Sequence, residues 1–166
     1  MKALVYTDQE TLIFRDEVDP VTQEGETLIK VSATGICGSD MHAYHGHDDR
    51  RLPPLILGHE ISGINQNNND AVVINPLIAC GSCQECKTGR EHLCQSRGLL
   101  GMSKPINRPG GFAEFIAVPN HNIFTIPSNA DLNSLSLTEP TAVAYHAIKI
   151  AEQANFTKIQ QSKILI

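Results

Sequence analysis

The sequence predicts a mainly β fold with some helix, a small barrel or sandwich of short strands that carries a separate metal-binding lobe. Three observations predict it. Short runs rich in Val, Ile, Leu and Thr recur along most of the chain, each bounded by Asp, Asn, Gly or Pro. Four of the five cysteines fall within residues 80–94. Helical composition appears only late, after Pro140.

Residues 2–6, 11–15 and 26–34 read as the first three strands. The third, starting Glu26-Thr27-Leu28-Ile29-Lys30-Val31, alternates for part of its length, as a half-buried strand does. Strands are expected again at 60–64 and 71–75, joined by Asn65-Gln66-Asn67-Asn68-Asn69-Asp70. Asn tolerates positive φ and bonds to its own backbone, so this run reads as a turn. Gly110-Gly111 reads as a turn that needs positive φ and releases a strand over 112–118, with 122–126 as its partner. Residues 140–154 carry Ala142, Val143, Ala144, Ala147, Ile148, Ile150, Ala151 and Ala154 and read as a helix with Pro140 in its first turn. Residues 162–166 read as an apolar parallel strand that stops at the last residue, as if the chain were cut there.

Bulk properties narrow the function classes. A chain of 166 residues, 41% apolar and 19% charged, suits one globular domain. A net charge of −5, no Trp, three Tyr and five Phe argue against a general nucleic-acid binder. Apolar runs such as 55–57 and 164–166 are far too short to span a bilayer, so no membrane partner is expected. The first eight residues lack the apolar stretch of a signal peptide, which with reduced cysteines favours the cytoplasm.

Cys80, Cys83, Cys86 and Cys94 are separated by two, two and seven residues. Cysteines this close cannot all pair in good disulfides, whereas four thiolates can converge on one zinc ion. A ferredoxin-type iron–sulfur run has a shorter last gap followed by proline, and here Gln95 follows Cys94. The cluster is therefore expected to hold a closed structural zinc. The fifth cysteine stands in Gly35-Ile36-Cys37-Gly38-Ser39-Asp40-Met41-His42, after a predicted strand, with Gly58-His59-Glu60 and Glu139-Pro140 downstream. A catalytic zinc takes three protein ligands and an exchangeable water, and Cys37, His59 and one of the two glutamates would meet that need. Alone, each is as readily a packed core residue. Tyr44-His45-Gly46-His47 and Arg50-Arg51 read as solvated segments, and His92, His121 and His146 as structural or surface residues.

Five motifs in order, Gly35-Ile36-Cys37-Gly38-Ser39-Asp40, Gly58-His59-Glu60, the cysteines 80/83/86/94, Gly110-Gly111-Phe112-Ala113-Glu114-Phe115 and Glu139-Pro140-Thr141-Ala142, resemble those of zinc-dependent medium-chain dehydrogenases. The likeness covers the whole chain and is nearest the sorbitol (polyol) and threonine dehydrogenase branch. It implies a GroES-like catalytic domain over 1–155 and, over 156–166, the first strand of a truncated Rossmann domain. It implies two zincs per chain, NAD or NADP in the full-length enzyme, and hydride transfer from a zinc-bound secondary alcohol or polyol. Cys37 and His59 match the constant catalytic ligands, Glu139 stands where alcohol dehydrogenases proper carry a second cysteine, and Glu60 is the alternative carboxylate. On a regular strand Glu60 points away from His59, so its ligation needs irregular backbone there. Ser39 resembles the hydroxyl that first accepts the substrate proton and His42 the histidine that passes it to solvent. Ser39 is equally suited to cap the helix after Cys37. A homo-oligomer is implied for the full-length enzyme.

Two departures stand out. Asn65–Asn69 replaces a longer strand–turn–strand, so the barrel is expected to lose a hairpin. The G-x-G-x-x-G turn that should follow the last strand is not in the 166 residues, so this chain alone is expected neither to hold a dinucleotide tightly nor to oxidise alcohols. The rival reading is thus a zinc-stabilised barrel module with no activity of its own.

Overall fold

A computed structural model describes residues 1–127 and 129–154. Among the described residues there are ten strands and four α-helices, and seven of the strands and the last helix lie where the sequence places them. Strand β1 (Lys2–Asp8) lies between β2 (Thr11–Asp16) and the two-residue β4 (Leu55–Ile56). The main sheet runs β10 (Ile123–Thr125), β6 (Ala71–Ile74), β5 (Glu60–Asn65), β3 (Glu26–Gly35), β9 (Phe115–Pro119), all antiparallel. A bridge between Ala3 and Ala113 ties the two sheets into a curled half-barrel. A ribbon of β7 (Leu77–Ile78) and β8 (Gly98–Leu99) forms the base from which the cysteine lobe projects.

The alternation in β3 works as its sequence implies: Thr27 and Ile29 point inward while Lys30 is exposed. Ile29, Ile61, Val72, Ile74, Leu100, Ile116 and Val118 fill the core. All four residues of β6 are buried, because neighbouring strands and both faces cover it. The Asn run closes a tight β5–β6 connection in which Asn69 takes φ +62°. The side chains of Asn65 and Asn68 accept from the N–H groups of Asn67 and Asp70 at 2.8 and 3.0 Å.

Four expectations need correction. Strand 122–126 does not pair with its predecessor: β9 pairs β3, and β10 pairs β6. The cause is Asn122, whose buried amide donates to the carbonyls of Asn75 (2.6 Å) and Leu77 (2.7 Å) and swings the chain across the sheet. Gly110 and Gly111 do not take positive φ. They are needed because a Cβ on Gly110 would collide with the Leu57 and Gly58 backbone, and one on Gly111 with Ile61; the strand after them starts only at Phe115. Arg51 is not solvated. It is 2% exposed and paired with Asp48, a burial that the polar run around it gave no reason to expect. The late helix, α4 (Thr138–Gln153), begins two residues before the expected 140, and Pro140 sits in its first turn, where no helical N–H is required. Helix α3 (Leu132–Leu135) precedes it, capped by Asp131. The expected strand at 162–166, and with it the boundary between 155 and 156, lies outside the described residues.

The glycines make a clasp that places the site. The N–H groups of Gly110, Gly111 and Phe112 donate to the carbonyls of Ile56, Gly58 and Leu57 at 2.7, 2.8 and 3.0 Å. Backbone on backbone at this distance leaves no space for side chains, and it fixes the segment that ends in His59.

Candidate metal centres

Strand β3 ends at Gly35, and helix α1 (Gly38–Tyr44) starts three residues later with Cys37 in extended backbone as its N-cap. The Cys37 N–H donates to the Asp40 carboxylate at 3.0 Å, which holds the thiol at the mouth of the helix. Ser39 is not the cap: it lies inside the first turn, and its hydroxyl is closed off from solvent with no partner among the described residues. His42 is exposed one turn along.

The second segment is Gly58-His59-Glu60. Gly58 takes φ +93°, so the backbone is irregular immediately before β5, and His59 and Glu60 both reach the Cys37 side. Glu60 packs directly over Gly35, where any Cβ would overlap its carboxylate. The ligand atoms of Cys37, His59 and Glu60 all lie within 4.8 Å of one another, although 22 positions separate the first two in the chain. Glu139, in the first turn of α4, stands outside that trio. Its carboxyl is pushed up by burial and by the charge of Glu60, with His59 opposing, and its helix packs against β5, the strand that Glu60 begins.

Asp40 organises the cluster. It is 3% exposed, receives the Gly58 N–H at 3.3 Å, and faces His59 Nδ1 at 3.6 Å. Burial works against its charge, yet His59 and the two backbone donors hold its carboxyl below the ordinary value. His59 is raised in turn: burial lowers it, and Asp40 and Cys37 more than offset this. Burial pushes the Cys37 thiol up, but Ser39 and His59 bring it below the usual thiol value. Motif reading named Asp40 only as a letter in a string. The signal available was its place three residues after an N-cap, where a carboxylate closes the cap.

The lobe is built locally. Helix α2 (Gln84–Lys87) and a 3-10 turn at Glu91–Leu93 carry the cysteines, with Gly81 (φ +69°) and Gly89 (φ +71°) making the bends. The sulfurs of Cys80 and Cys86 are 3.8 Å apart, and those of Cys83 and Cys86 are 3.5 Å apart. A tetrahedron with Zn–S bonds of about 2.3 Å has edges of roughly 3.8 Å, so the spacing fits zinc. With only protein present, backbone N–H groups of Ser82 and Cys83 pull Cys80 down to about 5. Burial, then Cys83, push Cys86 up to about 12. Four sulfurs this close cannot all be thiolates without a cation among them. The Tyr44–His47 run forms no metal group among the described residues; His45 instead meets Glu10 at 3.3 Å.

A curled half-barrel with a four-cysteine lobe and a separate Cys–His–Glu cluster is the architecture of a zinc-type oxidoreductase domain. Residues 23–128 match the alcohol dehydrogenase GroES-like domain, and the chain belongs to that family, among the zinc-dependent medium-chain dehydrogenases. It is 33% identical to L-galactonate-5-dehydrogenase of Escherichia coli over 91% of its own length and 46% of the relative's. It is 36% identical to L-threonine 3-dehydrogenase of Mesorhizobium japonicum, over 88% of this chain and 45% of that one. Galactitol-1-phosphate dehydrogenase from Escherichia coli superimposes with a TM-score of 0.83 at 30% identity, over 92% of this chain and 45% of that structure. The chain spans less than half the length of these relatives.

Proposed function

We propose that the protein serves as the alcohol-binding, catalytic-zinc portion of an NAD- or NADP-dependent dehydrogenase acting on a small secondary alcohol or polyol. The observation that carries this reading is the convergence of Cys37, His59 and Glu60 within 4.8 Å from distant parts of the chain. The relatives named for galactonate, threonine and galactitol 1-phosphate share a small hydroxylated substrate. Cys37, His59 and a glutamate are soft, borderline and hard donors of the kind a catalytic zinc takes, and the unpartnered His59 Nδ1 is at the right place to be oriented by Asp40. Glu60 is the carboxylate nearest to hand and Glu139 the one standing beside it. Zinc bound there supplies a Lewis acid for charge developing on the alcohol oxygen. Ser39, whose hydroxyl is enclosed beside Cys37, takes the proton in this reading, and His42, exposed on the same helix, exchanges it with water. Cys80, Cys83, Cys86 and Cys94 hold a second, structural zinc. Five free thiols fit a reducing compartment, the cytoplasm.

The test is a panel of polyols, hydroxy acids and secondary alcohols with either nicotinamide coenzyme, read by coenzyme absorbance, together with zinc content. In a full-length dehydrogenase carrying this domain, two zinc equivalents and coenzyme reduction that His59→Ala abolishes are expected, whereas the 166 residues alone should bind zinc and reduce no coenzyme. A protein that keeps both zincs in the His59→Ala variant would sink the reading.

A further inference from the structure

Outside both cysteine sites, a cavity bordered by two arginines lies between the β7–β8 ribbon and the turn at Arg50. It holds about 310 Å³. Leu77, Leu99 and Pro105 make its apolar floor, and Arg50, Arg97 and Gln95 supply the polar wall. None of its lining residues is acidic. Its shape is fixed by backbone: the N–H groups of Ser103 and Lys104 both donate to the Arg50 carbonyl, at 2.8 and 3.0 Å, and β7 pairs β8 opposite.

The charges around it do not cancel. Arg50 and Arg51 share a single carboxylate, that of Asp48. Asp48 is turned inward, with 5% of its side chain exposed, to the fully buried Arg51, and it takes one edge of Arg50, with Nε at 3.1 Å and Nη2 at 3.5 Å. Arg97 has no carboxylate partner among the described residues; it gives one donor to the Cys94 carbonyl at 3.0 Å and keeps the rest of its fork. Of the two guanidiniums that line the cavity, Arg50 shares the Asp48 carboxylate with Arg51 and Arg97 meets none among the described residues, in a chain whose net charge is −5. Positive charge is left over at this cavity although the protein as a whole is acidic.

We infer that this cavity binds a phosphate dianion, carried on a small organic body as a phosphomonoester. The match is in charge and in geometry. The Arg97 guanidinium and the edge of Arg50 not taken by Asp48 offer N–H donors to the oxygens of a phosphate. The Gln95 amide adds a further donor, and the apolar floor accepts the carbon portion of the ester. A carboxylate carries half the charge and two oxygens where a phosphomonoester offers three. The site goes beyond the zinc chemistry proposed above and does not depend on it.

Calorimetric titration of the zinc-loaded protein tests it, with glycerol 3-phosphate, inorganic phosphate and acetate as probes at constant ionic strength. Glycerol 3-phosphate is expected to bind at one saturable site with a dissociation constant of about 1 mM or tighter. Inorganic phosphate should bind more weakly and acetate not measurably. Arg97→Gln and Arg50→Gln should each weaken the ester about tenfold or more, while zinc content and melting temperature stay as in the parent. Arg97→Lys, which keeps the charge and loses the fork, should fall between. Absence of saturation, equal binding of acetate, or an affinity unchanged in Arg97→Gln would each overturn the assignment.

Discussion

The two cysteine-containing sites of this protein are built in opposite ways. The lobe gathers four ligands from fifteen consecutive residues, held by two glycine bends and a single turn of helix. The Cys37 cluster gathers its ligands from a strand end and a strand start, and it exists only because β3 and β5 pair and the clasp at 110–112 grips residues 56–58. A local site depends on its metal, since little else orders a loop in which Cys80 is exposed and only Cys94 is buried. A distributed site depends on the fold. The two should therefore fail independently and for different reasons.

The contrast can be broken most severely at the clasp. Gly110→Val is expected to cost about 4 kcal/mol or more, because its side chain must displace the Leu57–Gly58 backbone. Thermal unfolding would report this, and zinc analysis should find the lobe still metallated in whatever folded fraction remains. Cys83→Ser addresses the other side: one zinc equivalent should be lost while the β3–β5 amides keep their hydrogen-exchange protection. Loss of protection throughout the sheet would mean that the two sites are not separable.

Asp40→Asn sharpens the comparison within the distributed site. It keeps size and one acceptor but removes the charge facing His59. Zinc affinity at Cys37–His59 should fall by about 10–100-fold, measured against a chromophoric chelator, with the lobe unaffected. The smallest effect is expected at Glu26, which pairs with Arg108 at 2.6 Å and so ties the segment after the lobe to β3. Burial raises the Glu26 carboxyl, but the Gln23 N–H and Arg108 outweigh this and lower it. A lowered carboxyl stabilises the fold above its unfolded value of about 4.3 and loses that contribution as the pH falls through the folded value. Glu26→Gln should thus cost about 1–2 kcal/mol at neutral pH, and the gap from the parent should close in acid below about pH 4.

What sequence could foretell follows the same division. The lobe was legible because spacing alone limits what four cysteines can do. Seven strands were legible because Val- and Ile-rich runs end at Gly, Pro and Asn. The two-residue strands β4, β7 and β8 carry no period to detect, and helix α3 is a single turn. The partner of β10 was misjudged because a hairpin is the default for adjacent strands, and the buried Asn122 amide that overrides it resembles any loop asparagine. Arg51 looked solvated because its burial depends on Asp48 alone, three residues away. The Cys37 cluster was legible as residue types and through a family likeness. Its geometry was not, since Gly58 at positive φ and Gly35 beneath Glu60 become meaningful only once β3 and β5 are paired.

The clasp also bears on the order of folding. It closes a loop of roughly fifty residues, and the lobe lies inside that loop. A metal that cross-links Cys80 to Cys94 shortens the path by about fourteen residues, which by chain-closure entropy assists the clasp by only about 0.3 kcal/mol. Docking of the glycines is thus nearly indifferent to whether the lobe has captured its ion. A newly made chain in a zinc-poor cell can close its barrel first and fill the lobe later.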